Sequence, residues 1–299
     1  MVKEAGGLEL DQCYQCGLCT GSCPWNQVRR FPVRQLIHQA QLGVIDFASD
    51  DNWLCTTCYN CVQRCPRGVS IIDIMKAIRK VISETGIARV PDSLWLALTN
   101  IAGSGNPLGQ PAEQRGSWAI SYLKNRKPAG NLLYFPCCIP AYDPKAKKVA
   151  HSTARIFEYA GVEYNLLPDV ETCCGESVRK SGYESLFTTL AEKNIKAFSS
   201  AGITRVIVNS PHCYHTFKNE YPLLGASFET LHIVQYLSDM IDQGKLKFRR
   251  EVKKKVAYHD SCYLARHNKI YDEPRHVLES IPGIELLELP DNRENTLCC

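Results

Sequence analysis

Cys13-Tyr14-Gln15-Cys16-Gly17-Leu18-Cys19-Thr20-Gly21-Ser22-Cys23-Pro24 and Cys55-Thr56-Thr57-Cys58-Tyr59-Asn60-Cys61-Val62-Gln63-Arg64-Cys65-Pro66 follow one formula, Cys-x-x-Cys-x-x-Cys-x-x-x-Cys-Pro. This is the ligand spacing of a chain that holds two 4Fe-4S clusters, three thiolates of a run binding one cluster and the fourth crossing to the other. The spacing predicts Cys13, Cys16, Cys19 and Cys65 around one cluster and Cys55, Cys58, Cys61 and Cys23 around its partner. Pro24 and Pro66 end each run and turn the chain. Electron transfer is the only chemistry such a pair supports without additions. A zinc ion would be satisfied by four ligands, usually as two Cys-x-x-Cys pairs, and has no use for the third cysteine of each run. Disulfides need an oxidising compartment, and residues 1–30 carry no basic segment followed by an apolar one and a cleavage site.

At 299 residues the chain is long enough for two cores. No apolar run approaches the roughly 20 residues that cross a bilayer, so the chain is expected to be cytoplasmic, with a peripheral place at the inner face of a membrane as the alternative. Sixteen cysteines without an export signal point to a reducing compartment. A net charge of +4 is too small to argue for nucleic acid. One basic cluster, Lys245, Lys247, Arg249, Arg250 and Lys253 to Lys255, reads either as a docking patch for an acidic partner or anionic lipid, or as a solvated connector.

Outward from the cysteine runs, the residues between them are helical: Val33, Leu36, Ile37 and Ala40 share a face, with Pro32 near the start and Gly43 past the end. After the second run, Ser70 is placed to cap a helix with Ile71, Ile74, Met75, Ile78, Val81 and Ile82 on one face and Gly86 as its stop. Residues 87–130 read as a linker that wraps against a neighbour, because Gly103, Gly105, Pro107, Gly109, Pro111 and Gly116 crowd one stretch. Its Gly-Ser-Gly-Asn-Pro-Leu-Gly segment lacks the spacing and the preceding strand of a phosphate-binding loop.

From residue 131 the pattern alternates. Strands are predicted at Leu132 to Phe135, Val162 to Leu167 and Arg205 to Val208. Between them lie one helix marked by Ala146 to Ala160 and ended by Gly161, and another marked by Tyr183 to Phe198 and ended by Gly202. The unit then starts again with a strand at Val256 to His259, a helix at Glu273 to Ser280 and a strand at Ile284 to Leu289. Alternation of this kind implies a parallel α/β sheet, here duplicated. The expected fold class is therefore α + α/β: an all-helical two-cluster domain over 1–86, the linker 87–130, a first α/β unit over 131–227 and a second over 228–299.

The duplication carries its cysteines with it. Cys137 to Cys173 spans 173 − 137 = 36 residues and Cys262 to Cys298 spans 298 − 262 = 36. Loops leaving the carboxyl ends of strands are where ligands gather in doubly wound folds, and Cys137, Cys138, Cys173, Cys174, Cys213 and Cys262 all fall there. Together with Cys298 and Cys299 they are candidate metal ligands, with burial of small apolar thiols as the competing account.

Phe135-Pro136-Cys137-Cys138, Cys173-Cys174-Gly175, Ser210-Pro211-His212-Cys213, and the stretch from His259-Asp260-Ser261-Cys262-Tyr263 to Leu297-Cys298-Cys299 resemble the CCG domains of heterodisulfide-reductase-type proteins, fused to an all-α ferredoxin domain. The resemblance covers nearly the whole chain. It implies an iron-sulfur electron-transfer subunit that passes electrons through two cubanes to a further 4Fe-4S cluster of non-cubane type, where a disulfide is reduced. The alternative is a conduit between a flavoprotein and a quinone-linked membrane partner. A complete CCG unit ends in Cys-x-x-Cys, whereas Thr216 stands where the last thiolate of the first unit belongs. The second unit stops at Cys299, so its continuation beyond that residue is expected. On this resemblance Cys262, Cys298, Cys299 and His259 are the candidate catalytic residues. His212, His259, Arg266 and His267 stand beside the cysteines, either moving protons and holding sulfur or serving as satisfied structural side chains. Implied partners are other redox subunits and a disulfide or thiol substrate, with no nucleic acid.

Overall fold

A computed structural model describes residues 1–123 and 130–299. Residues 124–129, the end of the expected linker, lie outside the described residues.

The first ninety residues are helical: α1 (Leu18–Gly21), α2 (Val33–Leu42), α3 (Asp51–Leu54), α4 (Asn60–Gln63) and α5 (Ile71–Thr85). The two cysteine runs have one backbone shape. Gln15 and Thr57 precede their second cysteine at φ 67° and 54°, and Gly17 and Tyr59 follow it at φ 87° and 72° before α1 and α4 begin. Three of these four are not glycine, so both turns hold a conformation L-residues seldom adopt. Helices α2 and α5 end at Gly43 and Gly86 in the left-handed conformation, as their sequences predict. Ile37, Met75 and Ile78 are fully buried between them, each side chain contributing about 1.5–3 kcal/mol. Ser70 does occupy the cap position of α5, but its hydroxyl bonds Asp73 Oδ2 at 2.5 Å and makes no cap bond.

Residues 87–123 carry helices of their own. They form α6 (Asp92–Ser104), a 3-10 segment at Ala112–Ala119, and α7 (Ile120–Leu123). The glycines are real turns, with Gly105 and Gly109 at φ 68° and 64°. Leu98 and Ile101 nevertheless pack into the core that contains Cys173 and Cys174, and Trp118 meets Tyr134 edge-on at 6.0 Å. Burial of these apolar side chains outweighs the breakers around them.

Beyond residue 130, β1 (Leu132–Phe135), β2 (Arg205–Val208) and β3 (Glu229–His232) form a parallel sheet in that order, with Leu133 opposite Val206 and Val206 opposite Thr230. Helices α8 (Cys138–Tyr142), α9 (Lys147–Tyr159), α10 (Glu176–Lys180), α11 (Glu184–Ser200), α12 (Pro211–His215) and α13 (Ile233–Asp242) connect and flank the strands. The predicted strand at 162–167 is reduced to one bridge, Leu133 with Asn165. The Asn165 side chain bonds the carbonyls of Gly130 and Leu132, and Pro168 follows too closely for a ladder to extend. Strand β3 shows no apolar run in sequence, and it joins the first sheet although it lies past residue 227. In the second unit β4 (Lys254–Ala257) pairs in parallel with β5 (Ile284–Leu287), with α14 (Ala265–Asn268) and α15 (Asp272–Glu279) between them. Lys254 and Lys255 of the basic cluster are thus strand residues, and β4 begins two residues before the predicted Val256.

Candidate metal centre

The shape of the two runs gathers their sulfurs. Cys19 has Cys13 and Cys16 as charge neighbours, and Cys61 has Cys55, Cys58, Cys19 and Cys23. Cys23 has Cys58 and Cys55, outside its own run, as charge neighbours, while Tyr14 is hydrogen-bonded to Cys16 and has Cys65 as a charge neighbour. The Thr57 N–H points at Cys55 Sγ at 3.4 Å, a consequence of the left-handed turn. Burial pushes the Cys23 thiol up to about 12. Thiols held in this way ionise only beside a cation, so metal binding there releases protons.

In the first α/β unit all five cysteines meet. Cys137 leaves β1 at φ 75°, ψ 169°, a conformation whose cost is of order 1–3 kcal/mol. Cys138 opens α8, Cys213 sits on α12 where the Ser210 hydroxyl caps its N–H, and Cys173 and Cys174 follow the 162–167 segment. Their thiols form a relay: Cys137 with Cys213, Cys213 with Cys174 at 3.3 Å, Cys174 with Cys173, and Cys173 with Cys138. All are buried. Hydrogen bonds to neighbouring thiols and burial raise Cys138 and Cys213 well above the ordinary range. Thr216, one turn beyond Cys213, is fully buried with an unpartnered hydroxyl.

Sequence reasoning missed two residues here. Arg115, from the supposed linker, is buried, donates to Glu171 Oε1 at 2.7 Å and directs Nη1 at Cys138 Sγ at 3.6 Å. Gly105 accepts from the Cys173 N–H at 2.8 Å, and a Cβ there would stand 2.5 Å from Thr172 Oγ1. The glycine-rich stretch therefore braces the Cys173-Cys174 pair. An isolated arginine among breakers carries no sequence signal for such a contact.

The second-unit cysteines turn toward the N-terminal runs. Cys298 is hydrogen-bonded to both Cys262 and Cys58 and lies 3.3 Å from Thr56 Oγ1. Cys58, Cys262, Tyr263 and Cys298 pack as one group, while Cys299 is exposed. The hydrogen bond with Cys298 raises Cys58 and lowers Cys262.

The neighbouring cations and imidazoles mostly hold backbone. Arg266 Nε donates to Cys58 O at 2.8 Å and its Nη1 donates to Thr296 O. His267 bonds Thr57 O at 2.8 Å and stacks on Tyr263 at 4.3 Å; burial drives it down to about 3, so it is neutral. His259 bonds Leu297 O at 3.0 Å. His212 is half exposed, pairs with Glu176 Oε1 at 3.0 Å, and lies 4.1 Å from the Tyr263 ring.

All sixteen cysteines are free thiols. Among the described residues no three His, Cys, Asp or Glu side chains close around a single metal ion; thiolates of a cluster stand further apart, at its corners. The donor set is soft sulfur throughout, which suits iron-sulfur groups. Buried polar atoms without partners, Thr216 Oγ1, Arg266 Nη2 and Ser22 Oγ on cysteine-bearing segments and Nη2 of Arg115, whose Nη1 faces Cys138, supply donors that cluster sulfur can accept. The residues present fit the group.

An iron-sulfur protein is the class defined by paired cysteine runs, free buried thiols and a duplicated α/β unit. Known families agree: residues 9–69 match the 4Fe-4S dicluster domain, and residues 132–218 and 256–299 match the cysteine-rich domain. The chain is 34% identical to the probable iron-sulfur-binding oxidoreductase FadF of Bacillus subtilis, over 84% of this chain and 37% of that protein. It is 29% identical to the EtfAB:quinone oxidoreductase of Syntrophomonas wolfei, over 98% of this chain and 48% of that protein. It is 28% identical to the D subunit of the dihydromethanophenazine:CoB--CoM heterodisulfide reductase of Methanosarcina barkeri, over 98% of this chain and 78% of that protein. The chain spans less than half the length of the first two. It is an iron-sulfur protein similar to this heterodisulfide reductase component, and 4Fe-4S clusters are its cofactors. Among the described residues no helix is long and apolar enough to cross a membrane.

Proposed function

We propose that this chain is the component of a redox complex that carries electrons to a disulfide, with residues 1–86 as the dicluster unit, 131–227 and 228–299 as the two CCG units, and 87–130 as the segment that joins and braces them. When bound, the iron-sulfur groups accept and release single electrons. Cys13, Cys16, Cys19 and Cys65 would hold one cubane, and Cys55, Cys58, Cys61 and Cys23 the other. Cys137, Cys138, Cys173, Cys174 and Cys213 form one further site, and Cys262, Cys298 and Cys299 part of another. The observation that carries this reading is Cys298, in hydrogen-bond contact with Cys58 on one side and Cys262 on the other. No gap separates the dicluster sulfurs from the second CCG unit. Cys262 and Cys298, with Cys299 at the surface, are the sulfurs we assign to the substrate disulfide; His259, held by Leu297 O, orients the cysteine-bearing loop. A pure conduit between a flavoprotein and a quinone-linked partner is not favoured, since what these relatives share is the iron-sulfur chain and not one partner.

The test uses anaerobically purified protein together with its co-purifying subunits. Two equivalents of a reduced viologen supply two electrons which, with two protons, convert one low-molecular disulfide to two thiols. Disulfide-dependent viologen oxidation that Cys262→Ser or Cys298→Ser lowers at least tenfold is expected. Rates unchanged in both variants would refute the assignment of these sulfurs.

A further inference from the structure

Arg115 and Glu171 are both buried, each side chain 2% exposed, yet the pair is not closed on itself. A structural arginine-carboxylate pair ordinarily uses two parallel N–H···O bonds. Here Nε alone meets Glu171 Oε1, and both Arg115 Nη2 and Glu171 Oε2 are left without partners. Nη1 is turned away from the carboxylate to Cys138 Sγ, and the guanidinium lies 5.1 Å over the Phe135 ring at the end of β1. Phe135 leads directly into Cys137 and Cys138, so the cation sits at the root of the cysteine-bearing loop.

We propose that Arg115 sets the charge at the first CCG site: anchored by Glu171, its guanidinium stabilises the reduced, more negative state of the iron-sulfur group held by Cys137, Cys138, Cys173, Cys174 and Cys213. The proposal rests on the reading of those five cysteines as ligands. Its physical basis is that net charge and hydrogen bonds to sulfur set cluster potentials, and that a unit charge acts strongly where water is excluded. Arg115 is a positioning residue acting through Cys138. It also gives the first unit, with Thr216 in place of a thiolate, a feature the sequence pattern does not contain.

The experiment is a dithionite titration of the anaerobic full-length chain followed by electron paramagnetic resonance, one electron entering the site per step. The signal of the first site is recognised by its loss in Cys173→Ser. Arg115→Met should keep its iron and sulfide while its reduction equilibrium moves at least tenfold toward the oxidised form, about 59 mV for a one-electron couple. Arg115→Lys should recover most of that shift, and Glu171→Gln should move the potential in the opposite direction. Because Arg115→Met strands a buried carboxylate, the double variant Arg115→Met/Glu171→Leu is measured beside it and should shift in the same direction as the single one. An unchanged potential in Arg115→Met, or equal loss of iron in Arg115→Met, Arg115→Lys and the double variant, would overturn the proposal and leave the pair as a brace. A wild-type protein with no iron beyond the dicluster pair, and no signal lost in Cys173→Ser, would instead sink the ligand reading on which the proposal stands.

Discussion

At the scale of single residues, the thiols are arranged so that each ligand has a definite neighbour set. Cys58 touches both its own run and Cys298, so Cys58→Ser should remove about half of the dicluster iron and release the Cys298 loop. Iron and acid-labile sulfide per chain measure this, and an unchanged content would refute the role of Cys58. His232 illustrates a different kind of constraint. Its Nδ1 accepts from Val234 N and its Nε2 donates to Asn209 O at 2.8 Å, an arrangement only the neutral ring can make. Burial lowers its pKa to about 4, below the unfolded value of about 6.5. Its contribution to stability is therefore fully present above pH 6.5 and is lost as pH falls toward 4, on the order of 3 kcal/mol at about 1.4 kcal/mol per unit. Urea midpoints from pH 7 to pH 4 should fall less steeply in His232→Asn than in the wild type. Parallel slopes would remove His232 as the cause.

At the scale of elements, the sequence reads well where one pattern rules and poorly where two compete. Helices α2 and α5 have unbroken apolar stripes and glycine stops, and they form as written. Residues 94–101 carry apolar positions too, but the glycines and prolines that follow suggest a linker, and only contact with the α/β core shows α6 to be a packed helix. The 162–167 segment shows the converse: its composition suits a strand, yet Asn165 spends its side chain on the neighbouring carbonyls and leaves one bridge. Close approach between elements is equally invisible in sequence. Gly182, at φ 85°, follows α10 and lies against α5, where a Cβ would stand 2.4 Å from Lys80 N. Gly182→Ala should therefore cost more than Gly202→Ala, whose Cβ meets nothing within 4 Å and which bears only the left-handed backbone cost of about 1–2 kcal/mol. Thermal or urea unfolding of the two variants compares them, and equal losses would mean that the α5 contact contributes nothing.

At the scale of the whole molecule, Arg79 ties the helical unit to the α/β unit. Its guanidinium is buried and donates to Asn52 O at 2.9 Å, Cys55 O at 2.6 Å and Lys180 O at 3.0 Å. Thr57 Oγ1 with Tyr263 OH, His267 with Thr57 O, and Arg266 with Cys58 O add to the seam. Arg79→Met leaves three carbonyls without their donor, at a cost of about 3 kcal/mol, and should speed amide exchange around α3 and α10 before the rest of the molecule. Exchange that stays at wild-type rates there would show the seam to be independent of Arg79. The cysteine runs and the repeated 36-residue offset were determined by sequence alone, because ligand spacing and glycine stops are local properties. Which side chains meet across the fold, Cys298 with Cys58 and Arg115 with Cys138, was decided only by the tertiary structure. Those contacts join residues far apart in the chain, brought together by burial of apolar surface, which has no fixed spacing to read.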